Sequence, residues 1–230
     1  MIILGDVVNA GAIIAGAIIG LMFKGKIPER FSESIIKSIA LGVVLIGILN
    51  AINVENVILL LMSLVIGTLI GEYIHIEKKL ENLGKFIEKK SNKSDSSITK
   101  SFVTASLLYC VGSMAIVGSL ESGLTGNHAT LFAKSIIDGT TAIIFTSTIG
   151  VGVIFSAIPV FIYQGTIVLL SSFLKPLLIE SVILNMSAVG GLLIVGLGLN
   201  MLNYKNIKVG NMLPAVFIPL IYQLVLSVIS

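Results

Sequence analysis

Asp138 is the residue best placed to do chemistry, because it is an acid inside the otherwise apolar stretch 135–155. An ionised carboxylate at the centre of a bilayer costs about 2.5 kcal/mol or more on insertion scales, so it must face protein or a water-filled interior. Hydroxyls and glycines crowd the same stretch: Gly139, Thr140, Thr141, Thr146, Ser147, Thr148, Gly150 and Gly152. Where a membrane helix opens, its freed carbonyls bind a cation or a polar solute and its freed amides an anion. The competing reading makes Asp138 a helix-starting acid near the interface, paired with Lys134 one turn back.

Glu121 closes the preceding apolar stretch and leads into Ser122-Gly-Leu-Thr-Gly126-Asn127-His128, which is too apolar for an ordinary exposed loop. It reads either as an outer turn or as a segment that re-enters the membrane. Further on, Pro159, Gln164 and Gly165 can free or satisfy backbone groups within a span. Asn9, Asn50 and Asn200 are single amides in apolar stretches, where hydrogen bonding between helices is the default. The candidate set for binding a solute or ion is therefore Asp138, Thr140, Thr141, Thr146, Ser147, Gln164, Glu121 and Asn127. The two histidines, His75 and His128, fall at opposite faces and do not make a dedicated metal site. Gly150-Val-Gly152 follows no strand, and no nucleophile and base are spaced for catalysis. Neither a cofactor nor an enzyme is expected.

Such residues need a membrane scaffold, and the composition supplies one. Of 230 residues, 55% are apolar and 12% charged, against about 25% charged in soluble proteins; mean hydropathy is +1.05. The first residues, Met1-Ile-Ile-Leu-Gly-Asp6, lack the basic region of a secretory signal, so the first apolar stretch reads as a retained helix. Cys110 is a lone cysteine in an apolar stretch and reads as a small packing residue. Stretches near the ~20 residues that cross a bilayer fall at 6–23, 35–53, 56–75, 101–120, 135–155, 157–174, 182–203 and 210–229. This predicts an all-α integral membrane protein with about eight transmembrane helices. The fifth and sixth have no charged linker between them, so their boundary is either a turn or a broken helix.

Basic residues set the orientation. With the amino terminus outside, the inner loops hold Lys24, Lys26, Arg30 and Lys37, then Lys78, Lys79, Lys85, Lys89, Lys90, Lys93 and Lys100, then Lys205 and Lys208. Of 15 basic residues only Lys134 and Lys175 remain, so both termini are predicted to be extracytoplasmic. Without interleaved aromatics this basic charge reflects topology, and no nucleic-acid partner is expected. The hydrophilic segment 77–100 carries Leu80, Leu83, Phe86 and Ile87 at helical spacing. It reads as a cytoplasmic amphipathic helix on the lipid surface, followed by a Ser/Asn-rich linker between two halves.

Lys37-Ser38-Ile39-Ala40-Leu41-Gly42 recurs as Lys134-Ser135-Ile136-Ile137-Asp138-Gly139, each copy following a small-residue apolar stretch. Three spans separate the starts of the two copies, so the copies begin on opposite faces, as an inverted 3+3 repeat requires. The predicted organisation is 1–76 as one three-helix unit, 77–100 as the linker, 101–174 as a second, inverted unit, and 175–230 as a C-terminal helix pair. Gly11, Ala15, Gly16 and Gly20 form a small-residue face suited to close helix packing, within the chain or across a homodimer.

Cys110-Val-Gly-Ser-Met-Ala-Ile-Val-Gly-Ser119, Lys134 to Gly139, Gly150-Val-Gly-Val-Ile-Phe-Ser-Ala157, Tyr163-Gln-Gly165 and Gly5-Asp-Val-Val-Asn-Ala-Gly11 together resemble a prokaryotic membrane family of unknown function that includes YqgA and YdfK. The resemblance implies a multi-pass protein of the inner membrane with no assigned substrate. It departs at Asn127, where members often carry an acid. The expectation is a secondary transporter of a small polar solute or ion, working by alternating access around a midplane site. A non-transporting scaffold or channel-like protein is the alternative.

Overall fold

Apolar runs free of interior proline settle as helices, since a chain in lipid must satisfy its backbone groups internally. The computed structural model describes residues 2–26, 28–90, 97–204 and 206–229, and among these every regular element is helical: α1 (Leu4–Phe23), α2 (Glu29–Ala51), α3 (Val57–Ile74), α4 (Ile76–Lys90), α5 (Ser97–Val111), α6 (Ser113–Thr125), α7 (Ala129–Thr148), α8 (Ala157–Leu174), α9 (Glu180–Met201), α10 (Val209–Met212) and α11 (Ile218–Ile229). Residues 91–96 of the expected linker, with Lys93, and Lys205 lie outside the described residues.

Among the described residues, six helical segments are long and apolar enough to cross a membrane: Leu4–Phe23, Arg30–Ala51, Val57–Ile74, Val151–Leu174, Glu180–Met201 and Val209–Val228. A seventh is added if α5 and α6, bent by 57° about Gly112, make one span. The 20-residue α7 is not in this set, because Lys134, Asp138 and its many hydroxyls dilute its apolar residues.

The boundary between the apolar stretches 135–155 and 157–174, open in sequence between a turn and a broken helix, is a local interruption of the helix at Gly150. Gly150 adopts φ +143°, a conformation that L side chains rarely take. A six-residue 3-10 segment over Val151–Ser156 then leads into α8, where Pro159 is the third residue and so costs no interior hydrogen bond. A Cβ at Gly152 would overlap the Ile98 carbonyl on α5. These glycines therefore serve a turn and a close helix approach. Opened carbonyls are not found beside Asp138, since α7 runs unbroken from Ala129 to Thr148.

The chain divides into two compact units. Unit 1 comprises Met1–Ile39, Lys78–Cys110 and Met114–Ser171. Its spine is α1 against α7: Gly5 sits against Leu131, Gly16 against Gly139 and Gly20 against Ile143, so the two helices run in the same direction. In this unit α4 is amphipathic as expected, with Phe86 61% exposed and Gly84 packed on Thr99.

Unit 2 comprises Ala40–Glu77, Val111–Ser113 and Ser172–Ser230. Here α2 runs antiparallel to α9, with Gly47 against Gly191 and Ala40 against Gly198. Likewise α3 runs antiparallel to the last segment, with Gly71 against Asn211 and Gly67 against Ala215. Small residues let these backbones meet, as membrane helix packing favours.

Candidate functional site

Removing side chains at Gly16 and Gly20 brings α1 onto the backbone of α7, and that approach decides which polar residues meet. Two turns before Gly16, Asn9 faces α7 and donates from Nδ2 to Asp138 Oδ2 at 3.1 Å. The same amide donates to Gln164 Oε1 on α8 at 3.0 Å. Lys134, one turn before Asp138 on α7, forms an ion pair with the same carboxylate oxygen. Its Nζ also lies 5.8 Å from the centre of the Tyr109 ring, within cation–π range.

This cluster is buried. Asn9 and Gln164 are fully buried, and Lys134 and Asp138 are 4% and 5% exposed. An ion pair so placed gains from low dielectric only if the remaining lone pairs are also satisfied, because both charges have left water. Asn9 supplies part of that satisfaction. The carboxylate needs a donor, so the amide turns its NH2 toward Asp138 and its carbonyl away.

Asp6 lies on the same face of α1, one turn before Asn9, and is fully buried. Neither of its oxygens has a hydrogen-bond partner, nor does Asn9 Oδ1 or Gln164 Nε2. Gly165 makes room for this carboxyl: a Cβ there would stand 3.0 Å from Asp6 Oδ2.

Of the residues expected from sequence, the structure brings together Asp138 and Gln164. The others are placed elsewhere. Thr140 is exposed and donates to the Ile136 carbonyl at 2.7 Å. Thr141 bonds to the Ile137 and Asp138 carbonyls, and Ser147 to the Ile144 carbonyl at 2.8 Å. These hydroxyls are occupied by their own helix. Thr146 is fully buried near Gly20, with its hydroxyl unpartnered. Glu121 accepts from Thr130 at 2.6 Å, and exposed Asn127 accepts from the Ala129 N–H at 3.1 Å; both contacts tie the α6–α7 turn, and neither residue bonds to the Asp138 cluster. His128 shares a 2.8 Å hydrogen bond with Ser122. Among the described residues, no group of three or more His, Cys, Asp and Glu is placed to hold a metal.

The Lys134–Asp138 pair and the interhelical role of Asn9 match the plainer readings that the sequence offered for these residues, whereas Asp6 is the partner that sequence reasoning left aside. The signal for Asp6 was present: an acid three residues before an amide in an apolar run shares one helix face with it.

An all-helical chain with six or seven helices able to cross a bilayer, and a buried polar cluster among them, is a multi-pass membrane protein. It belongs to the family described as "Protein of unknown function (DUF554)", whose model matches residues 4–224. It is 34% identical over 221 residues to the uncharacterized membrane protein YdfK of Bacillus subtilis (strain 168), covering 94% of this chain and 93% of the relative. It is 32% identical over 223 residues to the uncharacterized protein YqgA of Escherichia coli (strain K12), covering 94% of each. No solved structure matches significantly.

Proposed function

We propose that this chain is a secondary transporter of the prokaryotic inner membrane, moving a small polar solute or ion by alternating access around the Asp138 cluster. The observation that carries the reading is four buried polar side chains from three apolar helices, Asn9, Lys134, Asp138 and Gln164, joined in one hydrogen-bonded group. Ionisable residues at membrane depth are expensive, and they mark solute and ion pathways. Lys134 and Asp138 offer one charge of each sign, which matches a zwitterion such as an amino acid. With Asp138 only 5% exposed, a solute reaches it when α1 or α8 moves off α7.

Helix directions support eight spans with both termini on the same side, and the distribution of basic residues makes that side the extracytoplasmic one. Counting α5 and α6 as one bent span and α7 as the fifth span makes α1 and α7 both run inward, and they are parallel along their glycine contact. A re-entrant α5–α6 would reverse α7. The antiparallel pairs of unit 2 fit the same alternation. The inverted 3+3 repeat and a homodimer are further parts of this proposal.

The second reading, a non-transporting scaffold or channel-like protein, has one observation on its side: Lys134 and Asp138 satisfy each other as a structural ion pair does. Proteoliposomes separate the two. Purified protein is screened for solute and ion flux, and Asp138→Asn is expected to abolish the flux while the protein remains folded. Survival of every detected flux in that variant would overturn the site assignment.

A further inference from the structure

In unit 1, two neighbouring groups on α1 lack a donor, while the one unpartnered amide donor of the cluster, Gln164 Nε2, bonds to neither. The Asp6 carboxyl and the Asn9 carbonyl present three buried acceptor oxygens with no hydrogen bonded to any of them, and both residues are fully buried. An i,i+3 pair on a helix brings side chains within reach of each other. A buried carboxylate with no donor is among the costliest polar arrangements known in proteins. The cation nearest in chemistry, Lys134, is committed to Asp138.

We infer that Asp6 is the proton-binding position of this site, its carboxyl holding a proton that it donates to Asn9 Oδ1. One proton taken from water forms the Asp6 O–H bond, neutralises the carboxylate and gives Asn9 its missing donor. A metal cation fits less well, since a hard cation takes about six or more oxygen ligands and the unpartnered acceptors here are three. Gly165 keeps α8 free of a side chain at that carboxyl.

The protonation state of Asp6 is felt by the rest of the cluster through one residue. Asn9 holds Asp138 and Gln164 with the opposite end of the same amide. Loss of the proton leaves Asn9 Oδ1 facing an anion, which favours turning the amide and releases Asp138 and Gln164. Ionisable groups on the elements packed around Asp6 are Lys134 and Asp138 of α7, His128 just before that helix, Tyr163 of α8, and Glu121 of α6, whose neighbour Ser122 bonds the Ile2 carbonyl; the 3-10 turn 151–156 brings none. That this proton is the coupling ion rests on the transport reading above, whereas the protonation itself does not.

Infrared difference spectroscopy on the purified full-length protein tests it without any flux. The wild type at neutral pH is expected to show a protonated carboxylic C=O band that Asp6→Asn removes, Asp138→Asn retains and Asn9→Ala shifts. Asp6→Asn can still donate to Asn9 Oδ1, so it is expected to fold and to melt near the wild type with a flatter pH dependence. Asp6→Ala loses that bond and is expected to melt about 2–4 °C lower. Absence of the band in the wild type, or its loss in Asp138→Asn instead, overturns the assignment. So does a sodium-dependent rise in wild-type melting temperature that Asp6→Asn abolishes, which would mark an ionised Asp6 holding a metal cation. A transporter with no acid band at Asp6, or the band in a protein with no flux, separates this inference from the functional proposal.

Discussion

In unit 2, Asn185 donates from Nδ2 to the Ser181 carbonyl at 2.8 Å while its Oδ1 takes the Asn56 N–H at 3.1 Å. Asn200 closes the loop after α9 by bonding both polar groups of Ile207, at 2.7 and 2.8 Å. Asn211 and Glu77 clamp each other's segments, Asn211 Oδ1 accepting from the Glu77 N–H at 2.8 Å and Glu77 accepting from the Gly210 N–H at 2.9 Å. Buried amides there finish off backbone ends. Unit 1 directs its amides toward other side chains, and the buried side-chain atoms found without a partner all fall in it, on Asp6, Asn9, Tyr109, Ser119, Thr146 and Gln164. Satisfied polar groups rigidify a core, whereas unsatisfied ones call for a ligand, a proton or a second conformation. On the transport reading, this difference assigns the solute path to unit 1 and the scaffold to unit 2.

The two copies of the Lys-Ser-Ile pattern make the contrast at residue scale. Lys37 pairs with Glu33 one turn before it at 2.6 Å, both side chains more than half exposed. Lys134 pairs with Asp138 one turn after it, both nearly buried. The largest expected effect therefore comes from Lys134→Met, which strands a buried carboxylate and should cost about 3–5 kcal/mol. Lys37→Met should leave unfolding in detergent unchanged. Equal losses in the two variants would erase the distinction between the copies.

A crossed pair of substitutions comes next. Asn211→Leu leaves the Glu77 N–H without its acceptor and should lower stability by about 1–3 kcal/mol, while any flux per folded molecule stays unchanged. Gln164→Leu removes a side chain whose Nε2 already lacks a partner, so its stability should stay within about 1.5 kcal/mol while flux falls. Thermal unfolding and flux measured on the same preparations decide this. A stability loss in Gln164→Leu with intact flux would reverse the roles assigned to the units.

Most of the helices were legible because a span is a local property: an apolar run of sufficient length reports itself, and α1, α3, α8 and α9 follow the runs closely. Asp138 and Gln164 were legible for a related reason, being polar where nearly everything around them is not. The meeting of Asn9 with both was not, since it joins positions 129 and 155 residues apart and depends on which glycine faces dock. Gly16 and Gly20 announced a close packing face, but their partner is set by the absence of a side chain at Gly139 on a helix far along the chain. The hydroxyls misled for the opposite reason. A Thr or Ser in an apolar helix can bond the carbonyl of its own preceding turn, so clustering in sequence says little about a shared site.

That distinction yields the smallest effect, and it sharpens the boundary of the site within α7 itself. Thr140 and Asp138 stand two residues apart, yet one faces outward and the other is buried. Thr140 gives its hydroxyl to the Ile136 carbonyl at 2.7 Å, a bond that duplicates the backbone's own and contributes little. Thr140→Val should shift stability by no more than about 0.5 kcal/mol and leave flux at the wild-type level. Transport assays on this variant beside Asp138→Asn test whether the working face of α7 is the one turned toward α1 and α8. A flux defect in Thr140→Val would move the pathway to the outer face of the helix, and the buried ion pair would then belong to the scaffold.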